Sequence, residues 1–129
     1  MPPGYLTALR NSQLDAITTA VGNAGKLAIY DGTRPATGGA ATTKLAEFTL
    51  GTPFASAAAS ATLSPTLPAN TTGITNGTAT WFRITTSAGA FVIDGSAGVS
   101  GTDMLLNTAT ISTGVTVSVT GFTITRGNA

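Results

Sequence analysis

Thr78-Ala79-Thr80-Trp81-Phe82-Arg83-Ile84-Thr85-Thr86-Ser87-Ala88-Gly89-Ala90-Phe91-Val92-Ile93-Asp94 decides how the rest of the chain is read. Bulky residues crowd two runs, and a Ser-Ala-Gly turn signal lies between them. Thr78–Thr86 and Ala90–Asp94 are therefore predicted to be the strands of a hairpin, closed by Asp94-Gly95. Successive side chains point to opposite faces of a strand. Phe82 and Ile84 thus share one face, assigned to the core, while Trp81 and Arg83 share the other. Trp81 then belongs either to a contact surface or to a second buried layer, and alternation alone leaves both open.

Further along the chain, Asp103–Ser112 and Val115–Arg126 read as a second hairpin around Thr113-Gly114. Val115, Val117 and Val119 have one parity, Phe122 and Ile124 the other. A β-bulge at Gly121 would turn both sets inward; a strand buried on both faces is the rival reading. Upstream, Lys26–Asp31 alternates Leu27 and Ile29 and stops at Asp31-Gly32. Thr33–Thr42 reads as an exposed loop, and Thr43–Leu50 puts Ala46, Phe48 and Leu50 on one face. Phe54–Pro65 is ambiguous: its alanines favour helix, whereas its hydroxyl residues and the prolines at 53 and 65 favour an extended edge segment. Leu67–Gly77 reads as a polar loop.

Only the start of the chain has helical periodicity. From about Thr7 to Val21, Leu14, Ile17 and Val21 line one face, and Gly22 stands where the helix would end. Thr7, Asn11 and Ser12 are the candidate caps. The predicted fold is all-β: a β-sandwich or jelly-roll-like domain of about eight short antiparallel strands with one short N-terminal helix. Residues 1–6 are expected to form a flexible arm, 7–126 the single domain, and 127–129 a C-terminal tail.

Composition narrows the chemistry. The 129 residues include no histidine and no cysteine, five carboxylates and six basic residues, for a net charge of +1. Triads built on histidine or cysteine and zinc sites of the usual nitrogen–sulfur type are therefore excluded. The acids Asp15, Asp31, Glu47, Asp94 and Asp103 are scattered, and no pair with glycosidase spacing stands out. Asp31 and Asp94, each followed by glycine, are expected to cap their own turn backbones. Gly38-Gly39 lacks the lysine and helix of a phosphate loop. No enzymatic activity, cofactor or metal is expected. The near-zero charge gives no footprint for nucleic acid or an anionic membrane, and no apolar run is long enough to span a bilayer. At 9% charged residues, against about 25% in typical domains, the surface has little repulsion to keep copies apart.

Several short segments resemble a group of small tailed-phage and prophage virion proteins of the capsid cement (decoration) type. They are Leu9-Arg10-Asn11-Ser12-Gln13-Leu14-Asp15-Ala16-Ile17, the strand Lys26–Gly32 ending in Asp-Gly, Ala79-Thr80-Trp81-Phe82-Arg83-Ile84, and the ending from Val117 to Ala129. The resemblance implies a jelly-roll-like domain, made in the bacterial host cytoplasm, that oligomerises on the outer surface of a phage head. There it would bridge and stabilise subunits of the major capsid protein. It carries over no catalytic residues.

Tyr5, Arg10, Trp81, Arg83 and Arg126 are the candidate interface residues, and a homo-oligomer, dimer or trimer, is the expected state. A phage tail or fibre component fits the same composition. A carbohydrate-binding β-sandwich presenting Trp81 is the alternative from a different class.

Overall fold

The structure, a computed structural model, describes residues 4–125. It is β-rich with a single helix. Helix α1 (Thr7–Val21) is followed by twelve short strands: β1 (Lys26–Tyr30), β2 (Lys44–Thr49), β3 (Thr62–Leu63), β4 (Thr71–Thr72), β5 (Gly77–Thr78), β6 (Trp81–Thr85), β7 (Phe91–Gly98), β8 (Met104–Leu106), β9 (Thr110–Ile111), β10 (Thr116–Val117), β11 (Val119–Phe122) and β12 (Ile124–Thr125). Six of them form one sheet in the order β11-β8-β7-β6-β1-β2, and the others pair as three two-stranded ribbons, β10-β4, β12-β3 and β5-β9. All pairings are antiparallel except β7 with β8. Both the strand number and the parallel pair depart from the sequence expectation. Among the described residues, no helix is long and apolar enough to cross a membrane.

The hairpin read first is the centre of this sheet. Strands β6 and β7 pair along Trp81↔Ser96 to Thr85↔Phe91, joined by a turn in which Gly89 has φ 91°. Strand β7 does not stop at Asp94-Gly95; it runs to Gly98. The cause is a close approach. Gly95 lies opposite Phe82, and a Cβ there would fall 2.5 Å from the ring, so the glycine serves ring packing and the strand continues. Beyond it, Ser96 N–H donates to Asp103 Oδ2 (3.0 Å) and Asp103 N–H to Ser96 Oγ (2.9 Å). These reciprocal bonds pin the short excursion that brings β8 alongside β7.

Strand alternation then builds two buried layers. Leu27, Ile29, Phe48, Phe82 and Ile84 point to the inner face and join Leu14 and Val21 of α1, Phe54, Leu63, Met104, Ile111 and Val117 in the main core. Ala28, Tyr30 and Trp81 form a separate small cluster on the outer face. Helix α1 begins and ends where its periodicity indicates. Its N-cap is Leu6, with no side-chain cap, and Gly22 ends it at φ 70°.

The ambiguous segment 54–65 is neither helix nor regular edge. Ala59 and Thr62 exchange backbone hydrogen bonds (3.0 and 2.9 Å) across Ser60 and Ala61, which have φ 52° and 56°. Two successive left-handed residues define a type I′ turn, normally glycine- and asparagine-rich. Here α1 holds it from outside: Asp15 Oδ1 accepts from Ala58 N–H (2.7 Å) and Asn11 Oδ1 from Ala61 N–H (2.8 Å).

The bulge expected near Gly121 is present. The β11–β8 register shifts between Val119 and Gly121. Val117 and Val119 are buried, and Phe122 and Ile124 pack against the core. Val115, however, is 48% exposed. The second hairpin also divides: β8 and β11 pair, while the chain between them leaves to form ribbons with β5 and β4. Strand β4 lies within the stretch read as a polar loop, 67–77, and β5 begins at its end, so that stretch is not wholly loop.

Candidate interaction surface

The outer face of the sheet gathers Lys26, Lys44, Glu47, Arg83 and Asp94, five of this chain's eleven charged residues. Strand parity places Lys26, Ala28 and Tyr30 of β1 beside Trp81, Arg83 and Thr85 of β6. Lys44, Glu47 and Thr49 of β2 lie on the other flank. Lys26, Lys44 and Arg83, three of the six basic residues, line a polar groove of about 420 Å³ floored by Ala28 and Tyr30 and ended by the 87–89 turn.

Trp81, a candidate interface residue, is fully buried (0% exposed). Of the two readings open to it, the second buried layer is the one observed, so Trp81 is corrected from contact surface to core. The physical reason is the loop after β1. Trp81 stacks on Tyr30 at 4.3 Å and 16°. Its indole N–H donates to the Asp31 carbonyl and to Thr42 Oγ1, both at 3.0 Å, so both ends of the loop close on the ring. Burying an indole N–H without such a partner would be costly. The loss of an exposed Trp81 also removes the stacking platform on which the carbohydrate-binding alternative rested.

Arg83 anchors the same loop from below. It makes a two-pronged pair with Asp94, Nε to Oδ1 at 2.6 Å and Nη2 to Oδ2 at 3.0 Å. Nη2 also donates to the Gly39 carbonyl (2.7 Å), and Asp94 Oδ2 accepts from Gly38 N–H (3.0 Å). The guanidinium carbon lies 5.2 Å from the Trp81 ring centroid and 5.5 Å from that of Phe91, within cation–π range. Asp94 therefore binds a loop 56 positions upstream, not its own turn as expected. Asp31 similarly accepts from Thr43 N–H (3.1 Å), across the loop's base.

Electrostatics follow from these contacts. The hydrogen bond that Arg83 donates to Asp94 raises the Arg83 pKa against the opposing effect of burial. Burial acts to raise the Asp94 pKa, but the Arg83 and Gly38 hydrogen bonds and the charges of Arg83 and Arg34 outweigh it, leaving the carboxyl below its ordinary value. The Glu47 hydrogen bond at 2.7 Å raises the Lys44 pKa. Lys26 meets a hydroxyl instead: its Nζ donates to Thr49 Oγ1 at 2.9 Å.

Tyr5 and Arg10 sit half-buried at and before the start of α1, with Arg10 Nη2 donating to Thr7 Oγ1 (3.1 Å). Arg10 belongs to the helix whose Leu14 and Val21 enter the main core, and Tyr5 directly precedes that helix, whereas Arg83 lies on the outer face of the sheet. Arg126 and the tail at 127–129 lie outside the described residues, as do the first three residues of the arm. Sequence reasoning missed Lys26, Tyr30, Lys44 and Glu47. The alternation Lys26-Ala28-Tyr30 was the available signal, but pairing partners were needed to bring it next to β2. Comparison with protein-family models, with curated proteins and with solved structures yields no match.

Proposed function

We propose that the protein is a structural, non-catalytic subunit of a tailed-phage particle, a capsid cement protein that sits on the outer surface of the head and bridges major capsid protein subunits. On this reading the six-stranded sheet and its ribbons form a jelly-roll-like sandwich, copies associate with one another, and neither nucleic acid nor membrane is a partner.

The observation that carries the proposal is the character of the surface. Leu6, Leu9, Leu67, Ile74, Phe91, Val99 and Val115 are each at least 40% exposed, while Lys44–Glu47 and Arg83–Asp94 satisfy each other internally. A surface with many apolar side chains and few free charges loses little by being covered. Small contacts repeated over a shell add through multivalency. The resemblance of the helix, the Trp81 strand and the ending to virion proteins supports the same assignment.

Gel densitometry of purified particles tests it. Cement requires many copies per head, and particles lacking the protein should lose heat or salt resistance. A few copies confined to tail fractions would replace this reading with the tail-component alternative.

A further inference from the structure

Strand β2 is an edge of the six-stranded sheet. Leu50 N–H donates inward to the Gly25 carbonyl (2.8 Å), and alternate residues of an antiparallel strand present their backbone groups to the same side. Phe48 and Ala46 therefore face β1, while the N–H and C=O of Glu47 and Thr49 face outward. Among the described residues these outward groups have no backbone partner; only the Leu45 carbonyl is engaged on that side, by Ile74 N–H (2.8 Å). An open row of this kind is a template for another strand.

We infer that the β2 edge is the site where a second copy of this chain docks, about a two-fold axis at Phe48. Register selects this pairing. Antiparallel pairing about Phe48 sets Glu47 of one copy opposite Thr49 of the other, and Thr49 opposite Glu47, so all the outward backbone groups of both residues are satisfied together. The same register keeps both outer faces on one side of a continuous sheet.

It also matches charge. Lys26 Nζ already lies over Thr49 Oγ1 and has a hydroxyl, not a carboxylate, as its partner. Residues directly opposite across strands lie about 5 Å apart, so the second copy's Glu47, while keeping its own Lys44, arrives beside Thr49, on whose hydroxyl Lys26 Nζ already rests, making a row Lys26, Thr49, Glu47 across three strands, twice per dimer. Ile74, 53% exposed, flanks the edge beside Leu45 and becomes covered at each end. A two-fold contact of this kind is self-complementary and closes. The inference rests on the assembly reading above only for its purpose; association of the isolated protein is measured without any particle.

Sedimentation equilibrium with two charge variants tests it. The wild-type mass should double as concentration rises. Lys26→Glu and Glu47→Lys, each alone, place like charges opposite across the axis and should stay monomeric. An equimolar mixture of the two restores both opposite-charge contacts and should again double in mass. A wild type that stays monomeric at high concentration, or single variants that associate as well as the wild type, would overturn the inference.

If either variant does not fold by circular dichroism, hydrogen exchange on the wild type decides. Concentration-dependent protection at Glu47 and Thr49 supports the site, and unchanged exchange rejects it. A monomeric wild type found in many copies on heads would sink this interface and leave the cement reading standing. A dimer absent from particles would do the reverse.

Discussion

Replacing Asp94 with alanine tests what holds the loop of residues 32–42 over Trp81. The side chains of Arg83 and Asp94 are 12% and 3% exposed, so the substitution leaves a largely buried guanidinium without its carboxylate and a Gly38 N–H without its acceptor. Breaking a buried pair by removing one partner costs about 3–5 kcal/mol. Arg83 keeps the Gly39 carbonyl and two aromatic faces, which places the expected loss near the lower end, at about 3 kcal/mol.

Urea unfolding followed by Trp81 fluorescence measures the loss. The indole is buried and bonded to both ends of the loop, so its emission responds to undocking of the loop as well as to unfolding of the sheet. Asp94→Asn keeps the shape and one acceptor and should lose less, about 1.5–3 kcal/mol. Acid gives an independent arm. The Asp94 pKa is lowered from 3.8, so its contribution is fully present above that value and is lost as pH falls through the lower folded-state pKa. The alanine variant should lack this acid-dependent component. A loss below about 1 kcal/mol, the level of an exposed pair, with the acid component intact, would refute the anchoring role.

Three further outcomes follow from packing and backbone geometry. Gly95→Ala forces a Cβ against the Phe82 ring at 2.5 Å and should destabilise by about 1–3 kcal/mol in chemical denaturation. Ala61→Gly relieves a left-handed residue at φ 56°; thermal melting should show a gain of up to about 1 kcal/mol. Trp81→Ala should lose about 3–5 kcal/mol, the effect of truncating a buried aromatic side chain, whereas a surface contact residue would show almost none in the isolated protein.

Elements defined by their own local pattern were legible in the sequence. Leu14, Ile17 and Val21 with Gly22 gave the helix, Trp81 to Ile93 around Ser87-Ala88-Gly89 gave the hairpin, and the parity break at Gly121 gave the bulge. What was hidden depends on distant partners. Asp94-Gly95 has the composition of a turn, and only Phe82 and the 38–39 backbone explain why it is a strand. Ser60 and Ala61 lack the glycine or asparagine that a type I′ turn favours, and Asn11 and Asp15 of α1 hold the turn in place. The candidate interaction surface was half legible: parity coupled Trp81 with Arg83, but their neighbours Tyr30, Lys26 and Lys44 come together only through sheet order, and the loop that seals Trp81 carries no apolar signal.

The position of β1 between β2 and β6 also sets an order of events in time. During synthesis β2 emerges soon after β1 and can pair at once, but β6 follows much later, and β3 must wait for β12 near the end of the described chain. Pairings so distant in sequence make folding slow. In that interval the nascent β1–β2 pair has both of its sides open, a hazard for premature association. Lys26, Lys44 and Glu47 stand on it throughout, so these charges slow indiscriminate sticking before the fold is finished.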